Sequence, residues 1–290
     1  MSDHKRYHGH RLFGELMPPD RALALALDAV RPIERVERVP LTEATDRVLA
    51  QEVSSPVDVP DFPKAMMDGF AVRSEDVADG RTELRVVGEA HPGEPYAGVV
   101  GPRETVKTAT GAPVPEGSDL VIEIEEVTFD EARAEVPGGL VPGRNVQPVG
   151  QDIGKGDRLL AEGLLLQPGH IGAAAALGIA ELPVYARPRV AVFATGREIK
   201  RAGPLAPGEI YDINSYTLSG LIRAHGGTVE LFDPIRDTYE NIRGAVARAA
   251  DFDAVVLSGS TSVGERDYLR DAAAELGEVL FHGLAVSPGK

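Results

Sequence analysis

A loop rich in glycine and hydroxyl residues follows a short apolar segment of the chain. The segment Ala254 to Leu257 is typical of a buried strand, and small polar residues come directly after it. Glycines let backbone N–H groups approach an anion, hydroxyls add donors, and a helix starting near Asp267 would add partial positive charge. The loop is a candidate phosphate cradle, but such loops are also ordinary turns after strands. Its candidate ligand-binding residues are Ser258, Gly259, Ser260, Thr261, Ser262 and Gly264.

Carboxylates and other polar residues follow the neighbouring strand-like segments. Thr195-Gly196-Arg197-Glu198 follows one segment, Arg236-Asp237 follows another, and Ser287 to Lys290 follows a third. The carboxyl ends of parallel strands meet at one edge of a sheet, where open α/β sheets bind ligands. Mg²⁺ prefers oxygen ligands and bridges to substrate phosphates, so Glu198, Asp237 and Asp267 form a candidate metal site. The alternative for each acid taken singly is a solvated loop carboxylate.

Strand and helix patterns alternate from Arg189 onward, and these elements would position the candidate site. Such alternation predicts a parallel sheet with right-handed crossovers and helices on both faces. The predicted strands are 190–194, 229–232, 254–257 and 279–281, and the predicted helices are 215–225, 239–250 and 268–276.

The first half of the chain has a different pattern. Asp20 is a suitable N-cap for a helix over Arg21 to Val30, which Pro32 ends. A second short helix is predicted over Leu41 to Gln51, and helix is again predicted within Asp152 to Ile179. Between them, short β patterns broken by Gly and Pro predict a small β lobe, with strands at 84–87, 105–109 and 120–125.

Composition limits the function classes. The 290 residues are 43% hydrophobic, enough for two or three domains, and the absence of cysteine excludes disulfides and thiolate zinc sites. No apolar run reaches the roughly 18 residues of a membrane span, and the first residues lead into no signal-peptide core, so a cytoplasmic protein without a membrane partner is expected. The net charge of −15, with no basic cluster, argues against nucleic acid. Local loops can still bind an anionic substrate, because salt screens the global field over about 8 Å.

Two further segments of the first half carry polar residues that packing does not explain. Lys64 to Val72 places Asp68 at a turn inside an apolar run, and Thr108 to Pro115 places Thr110 on a rigid loop. Together with the other polar segments they resemble, in order from Asp20 to Lys290, the molybdopterin molybdenumtransferase family, which includes bacterial and archaeal MoeA and the C-terminal domain of gephyrin. The other segments are Gly150 to Ile153, Ala194 to Glu198, Ile210 to Asn214, Ile235 to Asp237, Ser258 to Tyr268 and Ser287 to Lys290.

The resemblance implies insertion of molybdate into adenylylated molybdopterin, with release of AMP and a requirement for a divalent cation such as Mg²⁺. It implies that Thr110 donates to an oxyanion and that Lys290 neutralises developing negative charge. The loop from Ser258 to Gly264 would cradle the pyrophosphate, with Thr195, Gly196 and Ser287 as further binding residues. The acids that would hold metal or position the oxyanion acceptor are Asp68, Asp152, Glu198, Asp237 and Asp267.

The resemblance also implies an architecture. It is a multidomain α/β plus β protein, an elongated homodimer in which the β lobe of one protomer completes the cleft of its partner. The implied three-layer α/β (MogA-like) domain is incomplete at the C-terminus, because family members continue beyond the position of Lys290. The implied domains are a helical linker and dimerisation domain (1–55 with 145–185), a β-rich lobe (56–144) and the molybdopterin-binding domain (186–290).

Other functions stay open at this point. One is a noncatalytic or scaffold member that binds molybdopterin without turnover, and another is insertion specific for tungstate. Molybdopterin adenylyltransferase is a weaker alternative, because enzymes of that kind lack the β lobe that would carry Asp68 and Thr110.

Overall fold

The computed structural model describes residues 16–259 and 268–286. The chain divides into two compact units, one combining the N-terminal segment through Glu37 with the residues from Tyr185 onward, the other comprising Arg38–Val184. The chain therefore has the predicted multidomain α/β organisation, and the three-domain boundaries stay a prediction. No helix in the part of the chain that the structure describes is long and apolar enough to cross a membrane.

The described helices are α1 (Pro19–Ala29), α2 (Pro168–Ala176), α3 (Asn214–Ala224), α4 (Tyr239–Ala247) and α5 (Tyr268–Leu276). The described strands are β1 (Val36–Pro40), β2 (Val53–Ser54), β3 (Lys64–Ala65), β4 (Gly69–Val72), β5 (Thr82–Ala90), β6 (Glu104–Thr108), β7 (Leu120–Glu123), β8 (Thr128–Phe129), β9 (Arg133–Val136), β10 (Val146–Gln147), β11 (Arg158–Leu160), β12 (Glu181–Tyr185), β13 (Arg189–Ala194), β14 (Ile199–Lys200), β15 (Ile210–Tyr211), β16 (Thr228–Leu231) and β17 (Ala254–Ser258).

The Arg38–Val184 unit contains the predicted β lobe. Six strands form one sheet in the order β7-β4-β6-β5-β9-β8, in which only β5 and β6 pair in parallel. Phe70, Leu84, Leu120 and Ile122 are buried together on this sheet. Burying these apolar side chains stabilises the fold by roughly 1.5–3 kcal/mol each. The predicted strands of the lobe are confirmed, except that the third ends at Glu123, where a 3₁₀ turn over Ile124–Glu126 begins.

One helix prediction in the first half is wrong, and another is confirmed only in its last part. Only a 3₁₀ turn, Leu41–Glu43, forms within 41–51, because Asp46 takes a φ of +60° and Leu49 instead makes an antiparallel bridge to Val184. Within 152–179 only α2 is helical, and β11 pairs with β2. Long-range pairing has overridden a local apolar pattern in both places.

The helix α1 forms as predicted, but its cap differs. Pro18 is the N-cap and Pro19 is the first helical residue, so Asp20 lies in the first turn and no side chain caps the helix. Proline suits this position because its missing N–H would have no intrahelical partner. The acid at Asp20 still favours the positive end of the helix.

In the described part of the other unit, three parallel strands form a sheet in the order β16-β13-β17. The central strand is buried from Val190 through Ala194, and Phe193 stacks on Phe232 with ring centroids 4.5 Å apart. The crossovers carry α3 and α4, so the predicted alternation is confirmed for these strands and helices. The strand predicted at 279–281 is wrong: Val279 and Leu280 stay exposed in a loop, and the short apolar run is not buried by pairing.

Candidate functional site

A cleft of about 870 Å³ lies where β13 and β17 end. Its lining includes the strand-end residues that the sequence indicates, together with the segment that leads into α3. This is the position at which open α/β sheets bind ligands. The described lining is Ala194, Thr195, Gly196, Arg197, Glu198, Ile199, Ile210, Tyr211, Asp212, Ile213, Asn214, Asp237, Ser258 and Gly259.

Thr195 and Ser258 join the two strand ends at the floor of the cleft. The Thr195 backbone N–H donates to the Ser258 carbonyl at 2.7 Å. Gly259 follows with a φ of +101°, and a Cβ there would lie 2.2 Å from the Thr195 carbonyl oxygen. Only glycine, which has no Cβ, fits this close approach. The beginning of the predicted phosphate cradle therefore requires glycine at position 259.

Gly196 makes room for the Glu198 carboxylate. Its N–H donates to the Ile235 carbonyl at 3.1 Å, which ties it to the segment after β16. A Cβ on Gly196 would lie 2.7 Å from Glu198 Oε1. The backbone of Glu198 is held as well, because its carbonyl accepts from the Ile210 N–H at 2.8 Å.

The structure brings Glu198 and Asp237 to one cleft, as the sequence predicts. Within residues 16–259 and 268–286, no three His, Cys, Asp or Glu side chains cluster as a complete metal site. Two carboxylates nevertheless fit Mg²⁺, which keeps several waters and takes its remaining ligands from substrate phosphates. The donor chemistry of the cleft therefore suits a divalent cation held jointly with a phosphorylated substrate.

Two arginines supply positive charge beside these acids. Arg197 is exposed and lines both the cleft and an adjoining pocket of about 450 Å³, which Arg236 also lines. Guanidinium groups bind phosphate and other oxyanions through several N–H donors in one plane. The site can thus attract an anion although the whole chain carries a charge of −15.

The cleft also contains residues to which the sequence analysis assigned no role. Tyr211, Asp212 and Asn214 line the wall formed by β15 and the start of α3. The Tyr211 hydroxyl donates to the Gly203 carbonyl at 2.8 Å, and Asp212 Oδ1 accepts from the Ser215 N–H at 3.0 Å. The resemblance over Ile210 to Asn214 was the available signal, because this short segment has no distinctive periodicity.

Asp68 and Thr110 meet within the Arg38–Val184 unit. Asp68 Oδ1 accepts from both the hydroxyl and the backbone N–H of Thr110, each at 2.7 Å. These two hydrogen bonds hold the pKa of Asp68 below its ordinary value, and the bond from the Thr110 hydroxyl has the larger effect. The Asp68 carboxylate is therefore ionised at neutral pH. Asp152 lies on a separate loop, where its backbone N–H donates to the Val59 carbonyl at 3.0 Å and its side chain is exposed.

Several predicted site residues lie outside the described residues, and their predicted roles stay predictions. They are Ser260, Thr261, Ser262, Gly264, Asp267, Ser287 and Lys290.

Comparison with known proteins places these sites in context. The family described as "MoeA N-terminal region (domain I and II)" matches residues 17–178, and the family described as "Probable molybdopterin binding domain" matches residues 191–290. The chain is 35% identical to the molybdopterin molybdenumtransferase of Haemophilus influenzae, over 93% of this chain and 68% of that protein. It is 34% identical to the protein of the same name from Synechococcus elongatus, over 92% of this chain and 69% of that protein.

A solved structure gives the same relationship at the level of the fold. The crystal structure of the molybdopterin biosynthesis MoeA protein of Pyrococcus horikoshii superposes with a TM-score of 0.82 at 34% identity. The match covers 95% of this chain and 71% of that chain.

Proposed function

This chain belongs to the MoeA family of molybdenum cofactor biosynthesis proteins, and we propose that it transfers molybdenum from molybdate to adenylylated molybdopterin with release of AMP. The observation that carries the proposal is the meeting of Glu198, Asp237 and Arg197 in one cleft at the strand ends. Relatives at 34–35% identity bear the name molybdopterin molybdenumtransferase. The family match and the chemistry of the cleft therefore support the same reaction.

The residues of the cleft have complementary parts in this reaction. Arg197 and Arg236 would bind the molybdate or phosphate oxyanions, and the Gly259 segment would let the pyrophosphate approach the backbone. Glu198 and Asp237 would hold Mg²⁺, which when bound supplies positive charge against the charge developing at the phosphate. Because Gly196 and Ile210 fix the backbone around Glu198, the position from which its carboxylate enters the cleft is set before substrate binds.

We further propose, from the family resemblance, that the site is shared between two copies of the chain, with Asp68 and Thr110 supplied by the partner. Helix α1 supports a self-association surface, because Leu23 and Leu27 lie one turn apart on one face and are exposed, as is the apolar C-cap residue Val30. Mixing Asp68→Ala and Asp267→Ala protomers should restore part of the activity, since one cleft of the mixed dimer is intact. Unrestored activity in a verified mixed dimer would count against a site shared between two copies.

We also propose that the protein is cytoplasmic.

Site variants test the proposal. The chain is incubated with adenylylated molybdopterin, Mg²⁺ and either molybdate or tungstate, and AMP release is followed by chromatography. Glu198→Gln and Asp237→Asn should each lower the rate by at least tenfold and raise the Mg²⁺ concentration needed, since each removes one oxygen-ligand charge. The matched control is Glu230→Gln, which removes the same charge from an exposed position on β16.

The outcomes separate the functions that the sequence left open. Release of AMP with molybdate but not tungstate supports the proposed substrate, and the reverse result identifies a tungstate enzyme. Binding of adenylylated molybdopterin without turnover identifies a noncatalytic member. Site variants that match Glu230→Gln would show that the chemistry lies elsewhere.

A further inference from the structure

A buried group of polar atoms lies behind the wall of the cleft. Among the described residues, the buried side-chain atoms without a hydrogen-bond partner are Arg201 Nε, Asp212 Oδ2, Ser215 Oγ and Ser219 Oγ. The first two face each other at 3.6 Å, and the Arg201 and Asp212 side chains are only 18% and 2% exposed. An ionised group buried this deeply is costly unless an opposite charge accompanies it.

Arg201 also contacts the segment that follows β16. Its guanidinium donates to the backbone carbonyl of Phe232 and pairs with Asp233 Oδ1 at 3.4 Å. One planar side chain thus joins Asp212, at the cleft wall, to the backbone beyond a sheet strand. Arginine suits this task because its donors point in several fixed directions within one plane.

Asp212 transmits this restraint to the residues that line the cleft. Its Oδ1 holds the Ser215 N–H in the first turn of α3, and its backbone N–H donates to the Lys200 carbonyl at 2.9 Å. The same short parallel pairing of β14 with β15 holds the Glu198 carbonyl through the Ile210 N–H. A displacement of Asp212 would therefore displace Asn214 on one side and Glu198 on the other.

We propose that Arg201 is a positioning residue for molybdenum transfer: through its ion pair with Asp212 it fixes the cleft wall that carries Asn214 and the backbone that carries Glu198. This role rests on the proposed function, and Arg201 itself stands behind the lining. Glu198 needs this support because it is exposed on a short loop, whereas catalysis requires placement to within a fraction of an ångström.

Three variants test the role. Arg201→Gln removes the charge and leaves Asp212 unpaired, while Arg201→Lys keeps the charge without the planar fork. Arg223→Gln is the matched control, because it removes an exposed arginine from α3. Each is assayed for thermal stability, for amide exchange of residues 212–217, and for kcat and KM in molybdenum transfer.

Arg201→Gln should speed exchange of the Ser215 amide by about tenfold, because its acceptor is no longer fixed. It should lower kcat by about ten- to a hundredfold at temperatures where the protein remains folded, with a smaller change in KM. Arg201→Lys should recover part of both losses, and Arg223→Gln should resemble the wild type.

Two results would overturn the proposal. One is unchanged exchange at Ser215 in both Arg201 variants. The other is a lower melting temperature with wild-type kcat below it, which describes a merely structural residue. If the wild-type chain shows no transfer, the proposed function fails, but the positioning role can still be tested. Amide exchange at Ser215 and binding of adenylylated molybdopterin, measured by pterin fluorescence, then decide it. Unchanged exchange and unchanged binding in Arg201→Gln would refute the role.

Discussion

Replacing Gly259 by alanine probes the contact between the two strand ends at the floor of the cleft. The new Cβ would lie 2.2 Å from the Thr195 carbonyl oxygen, whereas ordinary contact begins at 3.4 Å, so the backbone must move by about 1 Å. The Thr195 carbonyl belongs to the same peptide group as the Gly196 N–H, which bonds to Ile235. That hydrogen bond would be strained or lost together with the favourable conformation at a φ of +101°.

The expected cost follows from these two effects. A non-glycine residue in a sparsely populated backbone region costs about 1–3 kcal/mol, and a backbone hydrogen bond contributes about 1 kcal/mol. Gly259→Ala should therefore lower the free energy of unfolding by about 2–4 kcal/mol. A shift of about 1 Å at the cleft floor should also reduce turnover by about a hundredfold.

Chemical denaturation and the rate of AMP release from adenylylated molybdopterin measure the two effects separately. Gly220→Ala is the matched control, because Gly220 lies on α3 with open space around its Cβ position and should gain about 0.5–1 kcal/mol in stability. The reasoning is refuted if Gly259→Ala unfolds at the wild-type denaturant concentration and releases AMP at the wild-type rate.

Three further variants test one carboxylate in each unit. The pKa of Asp253 is lowered to about 2, against about 3.9 in an unfolded chain. The larger cause is its hydrogen bonding to the Arg35 side chain, and the second is the hydrogen bond from the Arg189 backbone N–H. The stability that this ionised carboxylate contributes is therefore present above about pH 4 and is lost as the pH falls towards 2. Asp253→Asn should lower the free energy of unfolding by about 1–2 kcal/mol at pH 7, after allowance for solvent screening. In denaturation curves measured between pH 4 and pH 2, the variant should lose less stability than the wild type. Thr110→Val should raise the pKa of Asp68 in a carboxyl NMR titration by removing one of its two donors, while Thr110→Ser should preserve it. An identical titration in both Thr110 variants would contradict the hydroxyl's role.

Local patterns predicted the parallel sheet well because β13 and β17 are mostly continuous apolar runs, although Glu230 interrupts β16. Val190 to Ala194 is buried on both faces, and such a strand needs no alternation. The same rule failed at 279–281, where an apolar run is not paired, and the helix prediction failed at 41–51, where Leu49 bridges to Val184. Pairing between distant segments decided both outcomes, and periodicity carries no information about it.

The candidate site was predictable to the extent that it follows strand ends. Thr195, Glu198 and Asp237 were found by that rule, and the structure places them in one cleft. Asp68 and Thr110 lie 42 residues apart; their segments were singled out because packing does not explain their polar groups, but only the family resemblance gave the two residues a role. Arg201 and Asp212 escaped prediction because their ion pair depends on a two-residue strand pairing too short to read from sequence.

The most direct test measures molybdenum bound to the pterin product and AMP released in the same reaction. Purified chain is mixed with adenylylated molybdopterin, Mg²⁺ and molybdate, with Glu198→Gln and Glu230→Gln alongside. The account predicts equal amounts of AMP and pterin-bound molybdenum for the wild type and for Glu230→Gln, and a loss of both for Glu198→Gln. AMP release without bound molybdenum, or full transfer by Glu198→Gln, would contradict it.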